Sequence, residues 1–442
     1  MSDSGTSAAI QGAPPAPLLR RHLAAVAAGN ALEFYDFLIY ATFAISIGRA
    51  YFPAGGPVVS LLLSLATFGI GFVTRPVGGV VLGRLGDRIG RKPAMLISFA
   101  VMALGSLGIA VTPTYAQIGL AAPLLVIAAR LVQGFALGGE VGPSSAFLVE
   151  AAPPERRGLI GSLQGASQGL AMLSASGVAV LLSLAMPAAA LESWGWRVAF
   201  LIGLLIVPFG LVLRRSLPET AAHVQEAAPP GPGRGPFPRR LVALSTALLG
   251  SGTIATYVAT YMTTYAQDTL HLPPQAGFGV GVVNGACVLA FAPLGGLLSD
   301  RFGRRRVMIP ATVAALLVTL PAFQLLNAHP SVGALFAAMA AMSIPNSLSM
   351  GVALVTITES FPARMRCFAV GAIYAGAIAV FGGTTQFVVA WLLHATGEPL
   401  APAFYRIAAG LVGLAAMLAM RESAPGRIRG TGLSAVAAAP AR

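Results

Sequence analysis

The sequence predicts an all-α membrane protein with twelve transmembrane helices in two pseudo-symmetric six-helix bundles, and three observations predict it. Of the 442 residues, 56% are apolar and only 10% are charged, where a soluble chain carries about a quarter of its length as charge. Twelve apolar runs are long enough to cross a hydrocarbon core of roughly 30 Å, which takes about 20 helical residues. The two halves of the chain also repeat each other's loops. The net charge of +13 does not indicate a nucleic-acid partner, because a basic binder of that kind would be poor in apolar residues. The partners expected instead are membrane lipids.

In chain order, residues 1–22 are small, polar and Pro-rich and end in Arg20, Arg21 and His22. No small-residue cleavage site follows shortly after the first apolar run, so they read as a disordered cytoplasmic tail before an uncleaved helix. Runs at 23–47, 57–82, 93–111, 117–147, 158–184 and 198–213 form an N-terminal bundle, residues 23–214. Residues 215–240 are rich in Pro, Gly and Arg without apolar periodicity and form a cytoplasmic linker. Runs at 241–266, 276–299, 307–326, 332–358, 367–393 and 401–420 form the C-terminal bundle, residues 241–421, and 422–442 form a second cytoplasmic tail. Barrel strands would alternate in polarity, and these runs do not. With the N-terminus inside, 23 of the 28 basic residues fall on the cytoplasmic face and three, Arg49, Arg197 and Arg406, fall outside. That bias places both termini in the cytoplasm.

The repeat is specific. A shift of 213 lays Gly83, Asp87, Arg88, Gly90, Arg91 and Lys92 over Gly296, Asp300, Arg301, Gly303, Arg304 and Arg305. Glu150, Pro153 and Arg157 recur as Glu359, Pro362 and Arg366, and both sets follow even-numbered runs. Two six-helix units related by duplication explain this register.

These loops resemble the signature of the major facilitator superfamily, whose architecture is two halves of six helices. Gly29 to Phe37, Arg75 to Gly79, and Arg130 to Gly134 with Gly138, Gly139 and Glu140 resemble its metabolite:proton symporter family, whose members carry carboxylates, shikimate or betaines. Tyr257 to Leu272, Phe381 to Thr385 and Thr396-Gly397 are similar to citrate and tricarballylate:proton symporters. The resemblance implies a bacterial inner-membrane protein that works by alternating access.

Five ionisable residues lie inside apolar runs: Glu33, Asp36, Arg75, Arg130 and Glu140. Each costs about 2.5–3.5 kcal/mol at a bilayer centre, so each must face protein or water. They either hold the bundle together by pairing or form a site. Arginine suits carboxylate recognition because its planar fork stays charged when desolvated. The 100° helical step places Arg130, Gln133 and Glu140 on one face, while Asn30 lies on much the same side of its helix as Glu33 and Asp36. Glu33, then Asp36, then Glu140 are the candidates for taking the coupled proton. Thr253, Tyr257, Thr260, Tyr261 and Thr264 form a hydroxyl stripe on the seventh run, read either as helix–helix bonding or, by the resemblance, as one wall of the central cavity. Asn346, Ser347 and Ser349 mark the tenth run, and Thr384, Thr385 and Gln386 the eleventh. Gln164 and Gln168 on the fifth can reach a substrate or bond between helices. Glycines at four-residue steps, Gly134, Gly138 and Gly142, and Gly161, Gly165 and Gly169, read as packing surfaces that slide.

By the resemblance, Asp87, Arg91, Glu150, Arg157, Asp300, Arg304, Glu359 and Arg366 form a cytoplasmic latch; basic loops that merely orient the chain are the alternative. Cys287 and Cys367 are too few for a disulfide framework or a metal site. No phosphate loop or nucleophile–base constellation supports an enzyme. The expectation is therefore a monomeric symporter, without cofactor or metal and driven by the proton gradient, that imports an organic acid such as citrate or a related tricarboxylate. A carrier of a dicarboxylate, shikimate or a betaine, and a drug exporter, are the alternatives.

Overall fold

The computed structural model describes residues 16–53, 55–89, 91–138, 152–208 and 238–424, with Ser145, Leu148 and Val149. Glu140, Gly142 and Glu150 lie outside the described residues, as do the side chains of Asp87 and Arg91. Among the described residues ten helices are long and apolar enough to span a membrane. A broken pair, Ala27–Thr42 and Ala44–Tyr51, bends by 64° and forms α1. The first bundle continues with α2 (Gly56–Leu85), α3 (Pro93–Val111), the shorter apolar α4 (Ala121–Leu137), α5 (Pro154–Ala185) and α6 (Ala188–Pro208). The second holds α7 (Arg239–Asp268), α8 (Pro274–Phe302), α9 (Arg304–Ala328), α10 (Val332–Ser360), α11 (Phe368–Thr396) and α12 (Ala401–Ala419). These match the twelve expected spans. In lipid every backbone N–H and C=O must be paired within the protein, which a helix does by itself. Exposed Leu104, Leu184, Leu317 and Phe368 give the bundle the apolar rim that lipid requires.

Two expectations are corrected. The sixth span begins about ten residues earlier than its apolar run, because Leu191–Gly195 forms a single wide π-turn that continues into helix. This turn carries Trp196 to a fully buried position with its ring 5.8 Å from that of Tyr51. Arg197 then donates to the Tyr51 hydroxyl at 3.2 Å and to the Thr112 carbonyl at 3.1 Å. Arg406, counted on the outer side although the last run contains it, has only 4% of its surface exposed: its side chain turns into the bundle rather than out to water.

Proline shapes α2 where it matters most. Pro76 has no N–H to offer the Phe72 carbonyl, so Arg75 N donates there instead, at 3.2 Å, and residues 71–74 close into a tighter turn. The helix restarts at Arg75. Four residues of slack thus set the angle at which this arginine leaves the backbone.

The halves meet along α5 and α8 and along α2 and α11. Gly169 and Gly285 allow the first contact: a methyl on Gly169 would stand 2.5 Å from the Leu289 nitrogen, and one on Gly285 would strike the Leu173 backbone. Gly69 faces the Gly383 carbonyl across the second, beside a π-turn at Ile378–Gly382. The glycine steps on α5 therefore line the interface between halves, whereas Gly134 of α4 and Gly138 just past its end pack on α2 inside the first bundle. Gly169→Val is expected to reduce transport at least about tenfold, because neither backbone can yield; uptake per correctly folded molecule, normalised by size-exclusion chromatography, measures this.

Candidate functional site

Arg75 and Arg130 meet at the centre of the first bundle. Arg130 is fully buried and Arg75 is 2% exposed. Both guanidinium carbons lie against the Phe37 ring, at 4.5 and 4.2 Å from its centroid. Phe72 also covers Arg75, at 4.2 Å, and Tyr40 and Phe68 cover Arg130, at 4.5 and 5.0 Å. The aromatic faces offset part of the cost of removing each cation from water. Arg130 Nη1 donates to Gln133 Oε1 at 2.7 Å and Nη2 to the Phe68 carbonyl at 3.3 Å. Its Nε remains without an acceptor, as do Nε and Nη2 of Arg75. Three buried guanidinium donors are thus unsatisfied around one ring, and an oxyanion is the group that satisfies them.

Acids approach from the α1 side. Glu33 is fully buried and accepts from Ser98 Oγ at 3.0 Å, with Arg75 among its charged neighbours. Asp36, one turn further along, turns away toward α6 and α3. Its carboxyl lies against Gly203, where a methyl would collide with it, and beside Ser106, with neither oxygen in a hydrogen bond of standard geometry. Ser106 accepts from Gln133 Nε2 at 2.9 Å. A row of polar groups therefore runs from Arg130 through Gln133 and Ser106 to Asp36. Asn30 donates to Ser167 at 2.6 Å and accepts from Gln164 at 3.0 Å, which ties α1 to α5 beside Glu33.

The second bundle supplies Tyr257 of the hydroxyl stripe, whose ring packs 5.9 and 5.5 Å from Phe68 and Phe72 and whose hydroxyl neighbours Arg75. Tyr374 of α11 is a further neighbour of Arg75 and pairs with Gln168. The rest of the stripe is not brought to the arginines: Thr260 bonds back to Thr256, and Tyr261 packs in the core of the second bundle with Tyr265. Thr264 is buried without a contact to the arginines. Asn346 and Ser349 line a separate cavity inside the second bundle. Tyr374, Ser98, Ser106 and the aromatic box were not anticipated; the spacing of Phe68 and Phe72, one turn apart and just before Arg75, is the one trace of the box in the sequence.

The Arg-rich loops hold a second cluster. Arg304 is buried and forks onto Glu359, with Nη2–Oε1 at 2.9 Å and Nε–Oε2 at 3.0 Å, and Nη1 reaches Asp300 at 2.7 Å. Asp300 in turn accepts from the backbone N–H groups of Gly158 and Leu159, at 2.8 and 2.9 Å, near the start of α5. A carboxylate at a helix N-terminus is stabilised by its exposed N–H groups and dipole. This pair of bonds crosses from one half to the other. Arg366 bonds to the Thr358 carbonyl at 2.8 Å, and Arg157 is half-buried. At the opposite end Gln275 donates to the Ser183 carbonyl at 3.2 Å and Phe43 packs 5.1 Å from Phe278. The halves touch at both ends, so the arginines are enclosed. Asp300→Ala is expected to speed maleimide labelling of a cysteine placed at Gly165 about tenfold in a cysteine-free background, by favouring separation of α5 from α8; an unchanged rate would show that Asp300 holds nothing shut.

Residues 22–228 match the family described as Sugar (and other) transporter, and residues 273–440 match the one described as Major Facilitator Superfamily. The chain is 37% identical over 406 residues to the citrate-proton symporter of Salmonella typhi, covering 90% of this chain and 93% of that one. It is 32% identical over 428 residues to the proline/betaine transporter of Escherichia coli (strain K12), covering 93% and 85%. Among solved structures it is similar to the inward open conformation of the xylose transporter XylE from E. coli, with a TM-score of 0.73 at 16% identity over 92% of this chain and 97% of the other.

Proposed function

The chain belongs to the major facilitator superfamily, in its metabolite:proton symporter family, and from that premise we propose that it imports an organic acid together with protons. Citrate or a related tricarboxylate is the proposed cargo, the bacterial inner membrane its place, and a monomer the working unit. The observation that carries this reading is the pair of enclosed arginines with three unsatisfied donors, a match for more than one carboxylate oxygen. Arg75 and Arg130 are the proposed clamp. Gln133, Asn30, Gln164 and Gln168 hold or extend it, and Tyr257 closes it from the second half.

Coupling follows from the arrangement. Glu33 shares the neighbourhood of Arg75, so an arriving carboxylate competes with Glu33 for that cation. Glu33, its ionised form now less stabilised, takes a proton. Asp36 is connected to Arg130 only through Gln133 and Ser106. Neutralising cargo and acid together lets the halves rock past each other along the α5–α8 glycines. The Asp300 and Arg304 cluster then acts as the cytoplasmic latch, broken and remade in each cycle.

A betaine is the competing cargo, because an aromatic box suits a quaternary ammonium. Here the rings of Phe37, Phe68 and Phe72 are already covered by the protein's own guanidinium groups, which repel a cation. Uptake into proteoliposomes of citrate, 2-oxoglutarate, shikimate and glycine betaine, with and without an imposed pH gradient, decides the matter. Gradient-driven accumulation of citrate is expected; accumulation of betaine alone would overturn the choice of cargo.

A further inference from the structure

The second bundle contains a buried cation that the transport site does not use. Arg406 of α12 is 4% exposed; its Nη2 donates to the Met342 carbonyl at a long 3.3 Å, and its Nη1 has no acceptor. No ion pair reaches Arg406 among the described residues. The side chain lines a cavity between α7, α9, α10 and α12 whose other polar walls are Ser251, Thr312, Thr319, Asn346 and Ser349. Thr312 and Ser349 bond to each other at 2.8 Å and Thr319 donates to the Ala315 carbonyl at 2.7 Å, so the unpaired Arg406 Nη1 faces the cavity with the Ser251 hydroxyl and the Asn346 amide as the other lining donors.

An unpaired guanidinium inside a membrane bundle is strongly disfavoured unless a counter-charge meets it. The cavity offers ≈ 30 Å³ of room for the centre of a water-sized sphere, where one water needs about 10–15 Å³. That admits one small ion or a few waters and excludes a tricarboxylate. We propose that this cavity binds a monovalent inorganic anion of chloride size, which serves as the counter-ion of Arg406 and braces α12 against α10. Hydroxyl and amide N–H donors with one guanidinium are a suitable shell for a weakly hydrated halide, and no metal or carboxylate is required. The site is separate from Arg75 and Arg130, which belong to the other half.

The test is thermal unfolding of the purified protein in detergent at constant ionic strength, with methanesulfonate, a larger and weakly coordinating anion, replaced stepwise by chloride or bromide. A saturable rise of about 2 °C or more in the midpoint is expected for both halides. The rise should vanish in Arg406→Met and persist in Arg130→Gln, which removes the competing cation of the transport site. A midpoint indifferent to halide, or a response lost in Arg130→Gln and kept in Arg406→Met, would overturn the proposal. Because Arg406→Met can fail to fold, crystals of the unaltered protein soaked in bromide provide the second measurement: an anomalous peak beside Arg406 supports the site, and a cavity holding only water refutes it.

Discussion

Arg130→Gln is expected to lower gradient-driven uptake of citrate by about 100-fold or more, the equivalent of roughly 3 kcal/mol or greater. Glutamine can keep a bond to Gln133 and the packing on Phe37, so the variant should purify as a monodisperse protein. What it loses is the fixed charge. A cargo with three carboxylates must shed its water to enter a site walled by Phe37, Phe68 and Tyr40, and only a desolvated cation repays that loss. Arg130→Lys should recover little of the activity, because an ammonium cannot hold both Gln133 and a carboxylate in one plane. Full transport by the glutamine variant would remove Arg130 from the clamp and leave Arg75 alone to recognise the cargo.

Glu33→Gln has the next largest effect, and of a different kind. The amide oxygen can still accept from Ser98, so the local packing survives. Accumulation against a gradient should fall to background while exchange of labelled for unlabelled citrate across the membrane continues. The sign with pH follows: uptake by the unaltered protein rises as the outside is acidified, since the proton is a co-substrate, and exchange by the variant is flat over the same range. Counterflow with an imposed gradient of either direction separates the two behaviours. Unchanged uphill accumulation in the variant would transfer the coupling role to Asp36.

Much of the architecture was legible because lipid imposes a coarse requirement: a helix of about 20 apolar residues is hard to disguise. The repeat of the Asp300 and Arg304 loop marked the place of the charge cluster that crosses between the halves. Arg75 and Arg130 stood out because charge inside an apolar run demands an explanation. The partners of that charge did not stand out. Phe37, Phe68, Ser98 and Ser106 are ordinary residues of membrane helices, and only their convergence in space distinguishes them. Arg406 was misplaced for a related reason: a basic residue a few positions into a helix looks the same in sequence whether its side chain turns outward to water or inward to the Met342 carbonyl. The π-turn at Leu191–Gly195 left no signal either, because one extra residue in a turn changes no composition.

The chain that leaves α12 is drawn back onto the start of α9. Glu422 accepts from the backbone N–H groups of Arg304 and Arg305, at 2.9 and 3.1 Å, and Ser423 donates to Glu359 at 2.9 Å. Glu422 thus holds the backbone of the arginine that positions Asp300, and Ser423 holds the carboxylate onto which that arginine forks. For anyone building a reporter or affinity handle onto this protein, the practical boundary is Ala424 and not the end of the last helix: a fusion made at Met420 would remove a clasp on Arg304 and shift how fast the carrier turns over, while its cargo preference stayed the same.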